Sequence, residues 1–184
     1  MMASVQQRWV FGYGSLMWRP GFAYQEAVPA LIHGFHRALC VYSWVHRGTP
    51  ERPGLVLGLD RGGACLGIAF KIDPGKWDET LSYLREREQV TMVYREIEAK
   101  VRLQRSGDAV PAVTYAVDRA HRQYAGKLPA EKLVEIVADC EGKSGRNDDY
   151  VFNTLAHLRQ MQITDPVLEE VAAKLRAQAA SLPA

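Results

Sequence analysis

The chain has 184 residues, 47% hydrophobic and 24% charged, with 23 basic against 21 acidic side chains and a net charge of +2. That length predicts one domain over residues 1–184 with a core that needs no staples, and the near-neutral balance excludes an extended nucleic-acid or anionic-membrane surface. Three scattered cysteines, Cys40, Cys65 and Cys140, do not read as a disulfide framework. With no apolar leader core at the N-terminus and no run near the ~18 apolar residues of a membrane span, a cytoplasmic protein with no membrane partner is expected.

Along the chain, Trp9–Tyr13 reads as a short apolar strand. It leads into the turn Gly12-Tyr13-Gly14-Ser15-Leu16. Residues 27–39 and 40–46 are extended candidates, and the segment 47–54, with two prolines and two glycines, is a loop. Leu55–Leu59 and Cys65–Ile72 flank Asp-Arg-Gly-Gly and predict a hairpin. Trp77, Leu81 and Leu84 share one face of a helix over Lys76–Arg87. Residues 91–104 alternate, with Val93, Ile97, Ala99, Val101 and Leu103 on one face and Tyr94, Glu96, Glu98, Lys100 and Arg102 on the other, as a half-buried strand does. Ala112–Val117 is a further strand. The last third is helical. Leu133, Ile136, Val137 and Cys140 form one stripe, and Asn147 or Asp148 can cap the next helix, which carries Val151, Leu155 and Leu158. Asp165-Pro166 opens the last helix. Strands first and helices later predict an α+β fold.

Several motifs fail. Gly12-x-Gly14 lacks a third glycine, because position 17 is Met17. Ser15 is not in a G-x-S-x-G elbow. Gly142-Lys143-Ser144 lacks the earlier glycine of a phosphate loop, since that position is Val137. His33 and His36 fall on opposite faces of a strand, so with Cys40 they do not build a zinc site. No residue set calls for a metal or an organic cofactor.

Four segments remain. They are Val10-Phe11-Gly12-Tyr13-Gly14-Ser15-Leu16-Met17-Trp18; His46-Arg47-Gly48-Thr49-Pro50 with Pro53-Gly54; the helix end Tyr83-Leu84 with Glu86; and Ser144-Gly145-Arg146-Asn147 leading to Tyr150-Val151-Phe152. In this order, over roughly residues 9–160, they resemble the ChaC-like γ-glutamylcyclotransferases. The resemblance implies a mixed β-barrel with surrounding helices, a single ChaC-like domain, and release of 5-oxoproline from a γ-glutamyl compound. In this branch the compound is glutathione, and cysteinylglycine is the other product. Two segments depart from the familiar pattern: Ala38-Leu39-Cys40-Val41-Tyr42-Ser43 before the His-Arg-Gly loop, and Arg87-Glu88-Gln89-Val90 after the glutamate. Both are read as lining the pocket for the leaving group.

The chemistry gives these residues roles. The substrate's α-amine attacks its own γ-carbonyl, so the protein must hold a bent γ-glutamyl group, take a proton from the α-ammonium and return one to the departing nitrogen. Glu86 matches the family's catalytic glutamate in this reading and is the expected general acid/base, with Glu88, on another side of the helix, as the control. The turn Tyr13, Gly14, Ser15 and Leu16 is expected to present backbone N–H groups to the α-carboxylate or the developing oxyanion. Tyr115 is a candidate hydrogen-bond donor to substrate, or else an aromatic core contact. Ser144 and Asn147 are expected to cap the late helix. The same cyclisation on other γ-glutamyl amines or dipeptides, and a non-catalytic regulatory protein on the same scaffold, remain the alternative readings.

Overall fold

In the computed structural model, residues 7–181 are described. They gather into two compact units. One comprises the chain through Arg37 together with Leu59–Asp118; the other comprises Ala38–Gly58 together with the chain from Arg119 onward.

The first unit holds most of a closed five-stranded barrel. Its strands are β1 (Arg8–Gly12), β2 (Glu26–Ser43), β3 (Gly54–Ile72), β4 (Tyr94–Leu103) and β5 (Ala109–Val117), in the order β1-β3-β2-β4-β5. β1 runs antiparallel to β3 and closes the barrel by a parallel pairing with β5 at Val10 and Val113. β4 and β5 form a long antiparallel pair in which Glu96 lies directly opposite Tyr115. Helix α1 (Trp77–Glu88) follows β3 through a 3-10 turn, where the Asp73 carboxylate accepts the Gly75 N–H at 2.8 Å. As the spacing predicts, α1 buries Trp77 and Leu84. They join Val10, Leu16, Phe70, Ile72, Val113 and Tyr115 in one apolar cluster, with Leu81 packed against it.

Two expected breaks are absent. Residues 27–46 do not split into two extended pieces; β2 is continuous over Glu26–Ser43. The Asp60-Arg61-Gly62-Gly63 segment is not a hairpin turn but lies inside the single 19-residue strand β3. Its glycines take φ of +100° and +71°, which bends the strand without reversing it. His36 Nδ1 lies 2.9 Å from the Gly62 carbonyl oxygen, so β2 stays bonded to β3 at the bend.

The second unit is helical, with α2 (Ala130–Val137), α3 (Asn147–Gln160) and α4 (Pro166–Ala180). Leu133, Val137, Val151, Leu155, Leu158, Leu168 and Val171 are buried. The Asp165 carboxylate caps α4 by accepting the Leu168 N–H at 3.1 Å, and Pro166 fills the first turn, as the sequence predicts. Helix α2 ends at Val137, so Cys140 is buried beyond it rather than on it. Between α2 and α3, β6 (Glu141–Gly142) and β7 (Gly145–Arg146) form a two-residue ladder.

Asn147 is not the cap of α3. It is fully buried, and its amide pairs with Leu55 twice, accepting the Leu55 N–H and donating to the Leu55 carbonyl, each at 2.8 Å. The side chain imitates a strand edge. Ser144 likewise does not cap; its Oγ lies 2.8 Å from His46 Nδ1. Tyr150 accepts the Leu57 N–H at 2.9 Å, while the Arg47 guanidinium lies over the Tyr150 ring. The His-Arg-Gly loop and the Ser-Gly-Arg-Asn segment therefore fasten to each other within this unit.

Candidate active site

The site in the first unit starts with the turn after β1. Ser15–Met17 form a 3-10 turn, closed by Met17 N–H to the Gly14 carbonyl at 2.9 Å and Arg19 N–H to the Ser15 carbonyl at 2.8 Å. The N–H groups that lead such a turn have no acceptor within it. A Cβ at Gly12 would lie 3.0 Å from the Leu16 Cβ. The glycine thus lets the turn fold back on its own strand and bury Leu16. The Tyr13 carbonyl accepts from Arg37 Nε at 2.6 Å, which ties the turn to β2.

The end of α1 supplies the charges. Arg85 and Arg87 point to different partners. Arg85 makes a forked pair with Glu96, at 2.9 and 2.8 Å. Glu96 also accepts the Tyr115 hydroxyl at 2.8 Å. The hydrogen bond and charge of Arg85 hold the Glu96 carboxyl below the usual carboxylate range, with the Tyr115 hydroxyl adding to the effect. Tyr115 is 1% exposed. Burial first, then its bond to Glu96, pushes its phenol above the usual range, so it stays protonated. The ring belongs to the core, as one sequence reading has it, and the hydroxyl donates to Glu96.

Arg87 gathers the turn. It donates to Ser15 Oγ at 2.9 Å, to the carbonyls of Arg19 and Pro20 at 2.6 and 3.2 Å, and to the Tyr83 hydroxyl at 3.1 Å. Its Nε lies 3.4 Å from Glu88 Oε1.

The two glutamates of this helix end differ sharply. Glu86, the expected base, is exposed. Glu88, the intended control, has a side chain only 17% exposed. Burial raises the Glu88 carboxyl above the usual range against the opposing pull of Arg87, and its position as the last residue of α1 sets it in the negative end of the helix dipole. Its charge is felt at Tyr115, where it adds to the rise in the phenol's value. Glu88 is thus coupled to Tyr115 by its charge and to Ser15 through Arg87. After it the chain runs through Gln89–Val93, with Val90 and Met92 exposed. Sequence reasoning also missed Arg85 and Glu96. Glu96 was assigned to the polar face of its strand, and the signal that finds it is the β4–β5 register opposite Tyr115.

Among the described residues no group of three or more His, Cys, Asp or Glu is arranged to hold a metal ion, and no helix is long and apolar enough to cross a membrane.

Residues 8–178 match the family described as ChaC-like protein. The chain is 31% identical to the glutathione-specific γ-glutamylcyclotransferase of Escherichia coli, over 89% of this chain and 70% of that protein. It is 32% identical to human glutathione-specific γ-glutamylcyclotransferase 1, over 97% of this chain and 81% of that one. The crystal structure of the γ-glutamyl cyclotransferase specific to glutathione from yeast superposes with a TM-score of 0.82 at 25% identity, covering 94% of this chain and 99% of that one.

Proposed function

The chain belongs to the ChaC-like protein family, and from that premise we propose that it cleaves glutathione to 5-oxoproline and cysteinylglycine, with Glu88 rather than Glu86 as the general acid/base. The observation that carries the residue assignment is the half-buried Glu88 carboxyl, raised by desolvation beside the turn-gripping Arg87. A carboxyl raised above its ordinary range is suited to both halves of the reaction.

The γ-glutamyl group sits with its α-carboxylate on the leading N–H groups of the Tyr13–Leu16 turn. Glu88 takes a proton from the α-ammonium. The freed amine attacks the γ-carbonyl carbon, and the charge that develops on its oxygen is stabilised by a hydrogen-bond donor. Tyr115, whose phenol stays protonated, supplies that donor when its hydroxyl turns from Glu96 to the oxyanion. As the tetrahedral carbon collapses, Glu88 delivers a proton to the departing cysteinyl nitrogen. The ring nitrogen and the leaving amine balance the protons, and no water is consumed. Holding the bent substrate in attack geometry supplies up to roughly 7–11 kcal/mol of the barrier in ideal cases.

In this reading the whole chain acts as one ChaC-like domain on a small molecule, without metal or organic cofactor. Three buried cysteine thiols support a cytoplasmic setting, where thiols stay reduced.

The test is purified protein with millimolar glutathione and no added metal, products followed by mass spectrometry, with Glu88→Gln and Glu86→Gln alongside. Both products are expected from wild type and from Glu86→Gln, and neither from Glu88→Gln. Loss of turnover in Glu86→Gln with turnover kept in Glu88→Gln would return the base to Glu86. A wild-type protein inert toward glutathione but active on other γ-glutamyl amines or dipeptides would overturn the substrate and keep the chemistry.

A further inference from the structure

We propose that Arg87 is a positioning residue for this reaction: its guanidinium locks the substrate-holding turn to the helix end that carries Glu88, and so sets where the carboxylate meets the substrate's amine. The inference rests on the reading of Glu88 as the base.

The geometry is specific. One guanidinium reaches three stretches of chain: Ser15 in the turn, the Arg19 and Pro20 carbonyls just after it, and Tyr83 and Glu88 on α1. Its side chain is 20% exposed; the bonds to Pro20 and Tyr83 are partly buried, and those to Ser15 and Arg19 face solvent. Five donors in a planar fork can hold such a set together, whereas the compact ammonium of lysine cannot reach these partners at once. Arg85, two residues earlier, is already committed to Glu96 by its own fork and cannot substitute. The spacing of the two arginines is therefore functional. On a helix, residues two apart diverge by about 200°, so one arginine aims at the barrel strand and the other at the turn.

Two consequences separate this role from simple bracing. The turn and the base must keep their separation to within a fraction of an ångström for efficient attack, and a displacement of about 1 Å can cost on the order of 100-fold in rate. In addition, the Arg87 charge lowers the Glu88 carboxyl against its burial. The charged or titratable groups that interact with Glu88 are Arg87 on α1, which lowers its carboxyl, and Tyr115 on β5, whose phenol it raises. Arg85 is paired with Glu96, which leaves Arg87 as the cation beside Glu88.

The experiment compares wild type with Arg87→Lys and Arg87→Met in the full chain. It reads kcat and KM for glutathione against pH, the Glu88 carboxyl titration by 13C NMR (its resonance identified by loss in Glu88→Gln), and the Ser15 amide shift. Arg87→Met is expected to lose about 100-fold in kcat, to move the acid limb of kcat/KM and the Glu88 titration to higher pH, and to shift the Ser15 amide. Arg87→Lys keeps a cation, so its titration stays near wild type. Its kcat falls at least about tenfold because the fork is gone. A folded Arg87→Lys with wild-type kcat overturns the proposal. So does a Glu88 titration unmoved in Arg87→Met, or, where that variant does not fold, a Ser15 amide unmoved in Arg87→Lys. If wild type itself releases no 5-oxoproline, the functional reading falls, and the NMR arm alone decides whether Arg87 couples the turn to Glu88.

Discussion

Glu86 and Glu88 differ by two positions and by almost everything else that matters to a base. Glu86 stands in solvent, while the Glu88 carboxyl is raised by burial. A carboxyl raised in the folded state contributes stability as the neutral acid. That contribution is complete below the ordinary carboxylate value and is lost as pH rises through the raised one. Near neutral pH the ionised Glu88 is thus a cost to the fold. Glu88→Gln is expected to raise the melting temperature while removing turnover, a fall of roughly 100-fold or more; a lowered melting temperature would show that the ionised carboxylate is held by partners rather than strained by burial. This is a common trade between stability and activity at working sites.

At the scale of elements, the loop 46–54 and the segment 144–150 carry part of the family resemblance, and their internal bonds show a structural role. The Asn147 amide satisfies both backbone groups of Leu55, and it is fully buried. Asn147→Ala leaves a buried N–H and carbonyl unpaired, at a cost of about 1–3 kcal/mol for each. Urea unfolding is expected to show a loss of roughly 2–4 kcal/mol, and a loss under 1 kcal/mol would mean that water replaces the amide. Asn147→Asp keeps the acceptor for the Leu55 N–H but sets a buried carboxylate against the Leu55 carbonyl, so it is expected to lose at least as much as Asn147→Ala. The same scale explains the missed strands. Asp-Arg-Gly-Gly carries the composition of a tight turn, yet composition does not distinguish a reversal from a bulge. The pairing with β2, seen at His36 and Gly62, makes it a bend within one strand.

For the molecule as a whole, two of the carboxylates held by arginine, both largely shielded from water, contribute to the response to acid. Glu96, paired with Arg85, is lowered from its ordinary 4.5, and Asp148, bonded to Arg146, is lowered from 3.8. One lies in the barrel unit and the other in the helical unit. The stabilisation from each is present above the ordinary value and is lost as pH falls through the lowered one. The urea midpoint is expected to hold as pH drops to about 5 and to fall below about 4; a midpoint that rises on acidification below pH 4 would contradict it. Added salt weakens the exposed pairs most, among them Arg159 with Glu169.

Much of this was legible in the chain itself. Apolar periodicity located α1, β4, β5 and the helices of the last third, because burial on one face leaves a period that the backbone geometry imposes. The proline after Asp165 marked the start of α4 for a local reason, the orphaned N–H groups of a first turn. The turn at Gly12–Leu16 and the ordered motifs pointed to the ChaC-like family. What only the tertiary structure decided was which way individual side chains face and whom they meet. Tyr115 meets Glu96 because β4 and β5 pair in that register. Asn147 clamps Leu55, 92 positions earlier in the chain. Glu88, not Glu86, is withdrawn from water because the end of α1 turns that side inward. Local sequence sets the period of an element. Desolvation, which sets a carboxyl's proton affinity, depends on packing from strands far away in sequence, and no short motif records it.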